Sequence, residues 1–116
     1  MGRKIETVSE VRMLKLGHLA IRVVGPGSDW NQYVYRAALG IYWNPDELTY
    51  EDRLWRDRPP EDLMASCAAS ALRIRRALKE ELGYVLVAAS DLKWQGIEPT
   101  MQAEVARVLF VEDGAG

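Results

Sequence analysis

SDLKWQGIEPTMQAEVARVLFVED, residues 90–113, closes the chain apart from a short tail, and its reading decides the architecture. At a helical period it places Met101, Val105, Val108 and Leu109 on one side. At a period of two it is a pair of strands about a turn at 96–100, with Ala106, Val108 and Phe110 alternating with Arg107, Leu109 and Val111. The run VARVLFV is rich in β-branched residues and has no polar position after Arg107. A surface helix needs more polar positions, whereas a strand inside a sheet does not. Trp94 before the turn suits a strand end. YVLVAA, residues 84–89, reads as a buried strand, so paired strands are expected over 84–111.

Directly before it lies the clearest helical pattern. Leu63, Cys67, Ala71, Ile74, Leu78 and Leu82 recur at steps of three and four and share one face, which predicts a helix over 60–82. Pro60 suits a first turn, and Glu61 and Asp62 meet the positive end of the helix dipole. Arg73, Arg75, Arg76 and Lys79 lie toward the negative end, and Gly83 can stop the helix in the left-handed conformation.

Toward the front, Leu19, Ile21 and Val23 alternate with Ala20, Arg22 and Val24. GPGSD at 25–29 is turn chemistry. Tyr33, Tyr35, Ala37, Leu39, Ile41 and Trp43 then alternate again; a helix over 31–43 is disfavoured by Gly40 and the aromatic density. These features predict an antiparallel hairpin over 18–43. NPDELTYEDRLWRDRPP, residues 44–60, carries three prolines and dense charge. It reads as a long loop, with room for one helical turn at 46–52, and so long a connection often contacts a partner. Residues 4–16 are ambiguous: Ile5, Val8 and Val11 allow a helix, Leu14 and Leu16 a strand. The expected fold is α+β, a single domain over 1–116. One mainly antiparallel sheet, the hairpin 18–43 plus strands 84–111, is covered by one long helix.

Composition narrows the function classes. A chain of 116 residues with 48% apolar and 28% charged residues is long enough to bury a core. A net charge of −2 argues against a protein that works mainly by coating nucleic acid or anionic lipid. The single cysteine, Cys67, allows no intrachain disulfide, which fits a reducing compartment. MGRKIETVSE has no apolar run after its basic residues, so no secretory signal is expected. No apolar run approaches the ~20 residues that span a bilayer.

No catalytic, cofactor-binding or metal-binding set stands out. His18 is the only histidine, and one His with one Cys is too few for a zinc centre. Asp46, Glu47, Glu51, Asp52 and Asp57 could supply oxygens to Mg²⁺ or Ca²⁺, but their spacing matches no EF-hand loop and Arg53, Arg56 and Arg58 interleave with them. Cys67 sits on the apolar stripe, where a cysteine packs as a small hydrophobe. Ser90 and Lys93 form an S-x-x-K without its companion motifs. GPGSDW lacks the third glycine of a dinucleotide fingerprint and leads into a strand. The arginines of the helix could touch phosphate, but they read first as its solvated rear face. Four tryptophans and five tyrosines are more aromatics than one helix over one sheet can bury. Trp30, Tyr33, Trp43, Tyr50, Trp55 and Trp94 are therefore candidate interface residues, unless they cap core edges.

The order HLAIRVVGPGSDWNQYVYRAALGIYW, then DLMASCAASALRIRRALKEELG, then YVLVAASDLKWQGIEPTMQAEVARVLFVED resembles the tail terminator (tail completion) proteins of long-tailed bacteriophages. These are small α+β domains with a front strand pair, a long helix and closing strands. The resemblance covers residues 18–113 and is one of pattern, since the family has no diagnostic residue set. It implies a structural, non-enzymatic virion protein without cofactor. It would assemble in the host cytoplasm as a homo-oligomeric ring, commonly a hexamer, contacting neighbouring tail or neck proteins. A rival reading is a small inhibitor or immunity-type protein that binds a basic enzyme through residues 44–62, where seven carboxylates face three arginines.

Overall fold

The computed structural model describes residues 4–15, 17–24, 40–53 and 62–110. Five strands form one mixed sheet: β1 (Lys4–Lys15), β2 (His18–Val23), β3 (Ile41–Asn44), β4 (Thr49–Asp52) and β5 (Tyr84–Gln95). Their order across the sheet is β3-β4-β2-β1-β5. The helices are α1 (Leu63–Ala77), which continues into a π-helical turn at Leu78–Leu82, and α2 (Pro99–Leu109). The α+β class with a single sheet is as expected. Among the described residues the cover is two helices, not one, and the sheet is mixed because β5 runs parallel to β1.

The segment that decides the fold divides into a strand and a helix. Residues 84–95 are extended; residues 99–109 are α-helical, which corrects the expectation of strands there. The physical reason lies in two residues and a spacing. Gly96 takes φ +73° and breaks the strand, and Pro99 sits in the first helical turn, where its missing N–H costs nothing. Met101, Val105 and Leu109, four residues apart, are buried. Pro99, Thr100, Ala103 and Arg107 are exposed, and those four positions are all the solvent face that a half-buried helix of this length needs.

The front of the chain is rearranged too. The ambiguous first segment is a strand, and it pairs antiparallel with β2 through a tight turn at Gly17, φ +85°. The predicted hairpin 18–43 does not form. β2 lies between β1 and β4, while Ile41–Asn44 pairs with Thr49–Asp52. Period-two alternation marks a segment as extended without naming its neighbour. The turn read at 25–29 and the alternation at 31–39 lie outside the described residues. The expected loop 44–60 holds a strand at 49–52, hidden from pattern reading because two of its four residues, Glu51 and Asp52, are acidic. Its turn at 45–48 is organised by Asn44, whose Oδ1 accepts the N–H groups of Asp46 and Glu47 at 3.0 and 3.3 Å.

The predicted helix 60–82 is close to what forms. Asp62 is its N-cap, with Oδ1 accepting the Ala65 N–H at 3.1 Å, and Gly83 closes it at φ +74°. Cys67, Ala71, Ile74 and Leu78 are buried as the spacing requires, whereas Leu63 is exposed. These residues join Val8, Val11, Leu19, Ile21, Ile41 and Tyr50 of the sheet and Met101, Val105 and Leu109 of α2 in one core. Among the described residues no helix is long and apolar enough to cross a membrane.

The β1–β2 turn packs hard against α1. A Cβ added at Gly17 would stand 2.7 Å from the Ser66 Cβ, whereas one added at Gly83 would meet nothing within 4 Å. Gly83→Ala should therefore lose about 1–2 kcal/mol, the cost of the left-handed backbone alone. Gly17→Ala should lose a further ~1–3 kcal/mol from overpacking. Urea unfolding of the two variants checks this, and equal losses would contradict the close approach.

Candidate functional site

The most concentrated polar chemistry lies under α1. Asp52, at the end of β4, is 0% exposed, and its Oδ2 accepts three hydrogen bonds. The donors are His18 Nδ1–H at 3.2 Å, Ser70 Oγ–H at 2.6 Å and Arg73 Nη2–H at 2.5 Å. Ser70 Oγ in turn accepts the Leu19 N–H at 3.0 Å. The group holds a serine, a histidine and an aspartate, so it invites comparison with a nucleophile triad. The connectivity differs. Catalysis needs the histidine between the other two, so that its ring takes the serine proton. Here the aspartate lies between them, and the serine hydroxyl donates to it directly. Ser70 is fully buried and His18 nearly so, which leaves no room for a substrate. The cluster is a structural node joining β2, β4 and α1.

Cys67 is also part of the packing. It is fully buried, its Sγ lies 3.9 Å from the Met13 Sδ, and burial pushes its thiol up, away from the reactive thiolate. Among the described residues no three His, Cys, Asp or Glu side chains are grouped to hold a metal ion.

The sheet surface facing away from the helices carries the second polar network. Glu10, almost buried, binds Arg12 at 3.1 Å and Arg22 at 3.2 Å, and accepts from Gln95. Glu47 pairs with Arg12 at 3.6 Å and with Arg22 at 3.8 Å. Glu51 accepts from Arg53 Nε at 2.8 Å, Thr49 Oγ1 at 2.9 Å and Asn44 Nδ2 at 3.2 Å. Burial alone would raise the Glu51 carboxyl, but these donors together outweigh it and hold it below the ordinary range. Its stabilising contribution is present above the ordinary carboxylate pKa and is lost as pH falls through the lowered one. Of the carboxylates in the acidic stretch 44–62, Glu47 and Glu51 are thus paired with arginines, Asp52 is inside, and Asp62 caps a helix. The basic face of α1 is engaged in the same way: Arg73 reaches Asp52, and Arg76 lies 3.7 Å from Glu80.

The aromatic candidates separate into three groups. Tyr50 is 0% exposed and packs against Trp43, the rings tilted by 47° with centroids 4.6 Å apart, so it belongs to the core. Trp43 and Trp94 are half-buried, packed against the core from β3 and β5, the outermost strands of the sheet. Trp30, Tyr33 and Trp55 lie outside the described residues.

The large exposed apolar residues of the described chain fall in two places, Leu63, Met64 and Leu72 on α1 and an aliphatic group on the sheet. Ile5, Val24 and Val87 are 64%, 61% and 36% exposed. Ile5 pairs with Val85 across β1 and β5, and the Val24 N–H donates to the Thr7 carbonyl at 3.0 Å, so the three sit together at one corner of the sheet. YVLVAA reads as a buried strand because nothing in it is charged. It is in fact the edge, and edge position is a property of topology, not of the local run.

No protein-family model, no curated protein and no solved structure matches this chain.

Two stability measurements test the polar and aromatic assignments. Asp52→Ala should lower the unfolding free energy by about 3–5 kcal/mol, because it leaves three donors unpaired around a buried void. A loss under about 1 kcal/mol would remove Asp52 from the centre of the fold. The Tyr50 hydroxyl is buried without a hydrogen-bond partner, and burial, with Tyr84 and Glu6 nearby, pushes its phenol far above the usual range. Tyr50→Phe should therefore stabilise the fold by about 1 kcal/mol at neutral pH. In the parent chain the unfolded phenol ionises near pH 10 while the folded one stays protonated, so stability falls as pH rises past about 10. Tyr50→Phe should flatten that fall in pH-dependent urea titrations.

Proposed function

We propose that the chain is a structural subunit that assembles with copies of itself into a closed ring, of the kind that ends the tail tube of a long-tailed phage and meets the neck proteins. The observation that carries this reading is the pair of unlike sheet edges. β3 is short and aromatic; β5 is long and begins with an uncharged aliphatic stretch beside exposed Ile5 and Val24. A ring requires one surface to meet a different surface on the next copy, and unlike edges are suited to that. The closing strand pair on which the resemblance depends is a strand and a helix here, which removes that support, so the reading rests on the edges.

The inhibitor reading has less support. Among the described residues of its acidic stretch, Glu47, Glu51 and Asp52 are committed to partners within the fold, which weakens the field they could offer a basic enzyme.

Light scattering coupled to size exclusion, from micromolar to millimolar concentration, tests the proposal. The expected result is a discrete assembly of several 13.1 kDa subunits, with six as the number the family resemblance implies. A monomer at every concentration overturns it.

A further inference from the structure

The two outermost strands fit each other in direction, facing, length and charge. β5 is parallel to β1, β2 antiparallel to β1, β4 antiparallel to β2, and β3 antiparallel to β4. β3 therefore runs opposite to β5. A copy placed alongside by rotation about an axis along the strands, with its helices on the same side, brings its β3 against β5 in antiparallel orientation. This is the more stable pairing per residue.

Length and charge match over a short span. β5 keeps regular register with β1 from Tyr84 to Ala88, opposite Lys4 to Val8; then β1 advances to Glu10 while β5 advances to Lys93. The first regular stretch of the edge is thus residues 84–88, about as long as the four residues of β3, and a shorter one follows at 93–95. Neither YVLVA nor IYWN holds a charge. The charges of β5, Asp91 and Lys93, come only after the slip. Charged edges resist pairing, and uncharged ones accept it.

Facing fixes the register. On β3, Ile41 and Trp43 turn toward the helices, where Trp43 meets Tyr50, and Tyr42 turns to the opposite surface, where Arg53 lies 4.9 Å from its ring centroid. On β5, Leu86 is buried toward the helices, and Val87 is exposed on the other surface beside Ile5. Aligning like faces sets Ile41 of the next copy opposite Ala88, Tyr42 opposite Val87, Trp43 opposite Leu86 and Asn44 opposite Val85. Large residues meet smaller ones, and the Tyr42 ring covers the aliphatic corner formed by Val87 and Ile5, an aromatic against a β-branched side chain.

From this we infer that β5 of one subunit accepts β3 of the next over residues 84–88, extending the sheet from copy to copy; the inference rests on the self-assembly reading above. It assigns Trp43 a place at the joint and adds Tyr42, Val85 and Val87, none of which charge or motif singled out.

Val87→Glu tests it, since that side chain is already partly solvated and a charge there is compatible with the folded subunit. The expected result is conversion of the wild-type assembly to a folded monomer, with far-ultraviolet circular dichroism unchanged. Cysteine pairing supplies the second measurement, and Cys67 does not interfere because it is buried. A Tyr42→Cys subunit mixed with a Val87→Cys subunit should give disulfide-linked dimers under mild oxidation, and neither variant alone should. The double variant should give a ladder ending at the full assembly. An unaltered assembly in Val87→Glu, or linked dimers from Val87→Cys alone, overturns the β5–β3 joint while leaving self-assembly intact. A wild-type chain that is monomeric throughout overturns the self-assembly reading, and the joint with it.

Discussion

The fold depends on one buried carboxylate. Asp52 takes hydrogen bonds from a strand histidine, a helix serine and a helix arginine, and it is sealed from solvent. An ionised carboxylate in such a place is tolerable only when its lone pairs are filled, so the end of β4, the start of β2 and the middle of α1 are bound to one arrangement. Apolar contact is non-directional. The three donors are directed. The Leu19 N–H bonded to Ser70 extends the constraint into the backbone of β2.

The two surfaces of the sheet are built by different means. Toward the helices, Val8, Val11, Ile21 and Ile41 pack as a dry layer. On the other side, Glu10 and Glu51 lie almost buried, each surrounded by guanidinium, amide or hydroxyl donors. Long arginine stems cover apolar area while their heads cancel the carboxylates. Among the described residues of the acidic stretch, Glu47 and Glu51 are paired with arginines and Asp52 is buried, so these three add less to the surface field than their number suggests.

The sequence discloses α1 almost fully, because its stripe, cap and terminating glycine all agree. Pattern marks β2 and β3 as extended but joins them to each other, whereas the partners of β2 are β1, which pattern leaves open between helix and strand, and β4, which it reads as loop. The closing segment misleads for a reason of scale. Over seven residues VARVLFV resembles a strand; over eleven, with Pro99 ahead of it and buried residues every fourth position, it is a helix. At the candidate site, tryptophans and tyrosines draw attention by type, yet Tyr50 packs inside. Besides Leu63, Met64 and Leu72 on α1, the large exposed apolar residues are Ile5, Val24 and Val87, whose aliphatic character is ordinary core character until the topology places them at a corner.

Residues 89–92 of β5, which fall out of step with β1, have a further consequence. A straight, greasy ribbon at the rim of a sheet invites endless zippering and, eventually, fibres. The jog cuts that ribbon short after a handful of residues, and Asp91 and Lys93 guard the remainder of the strand. Any strand that paired there would gain only a brief foothold, so in a self-assembling subunit of the kind proposed such association would be reversible and correctable.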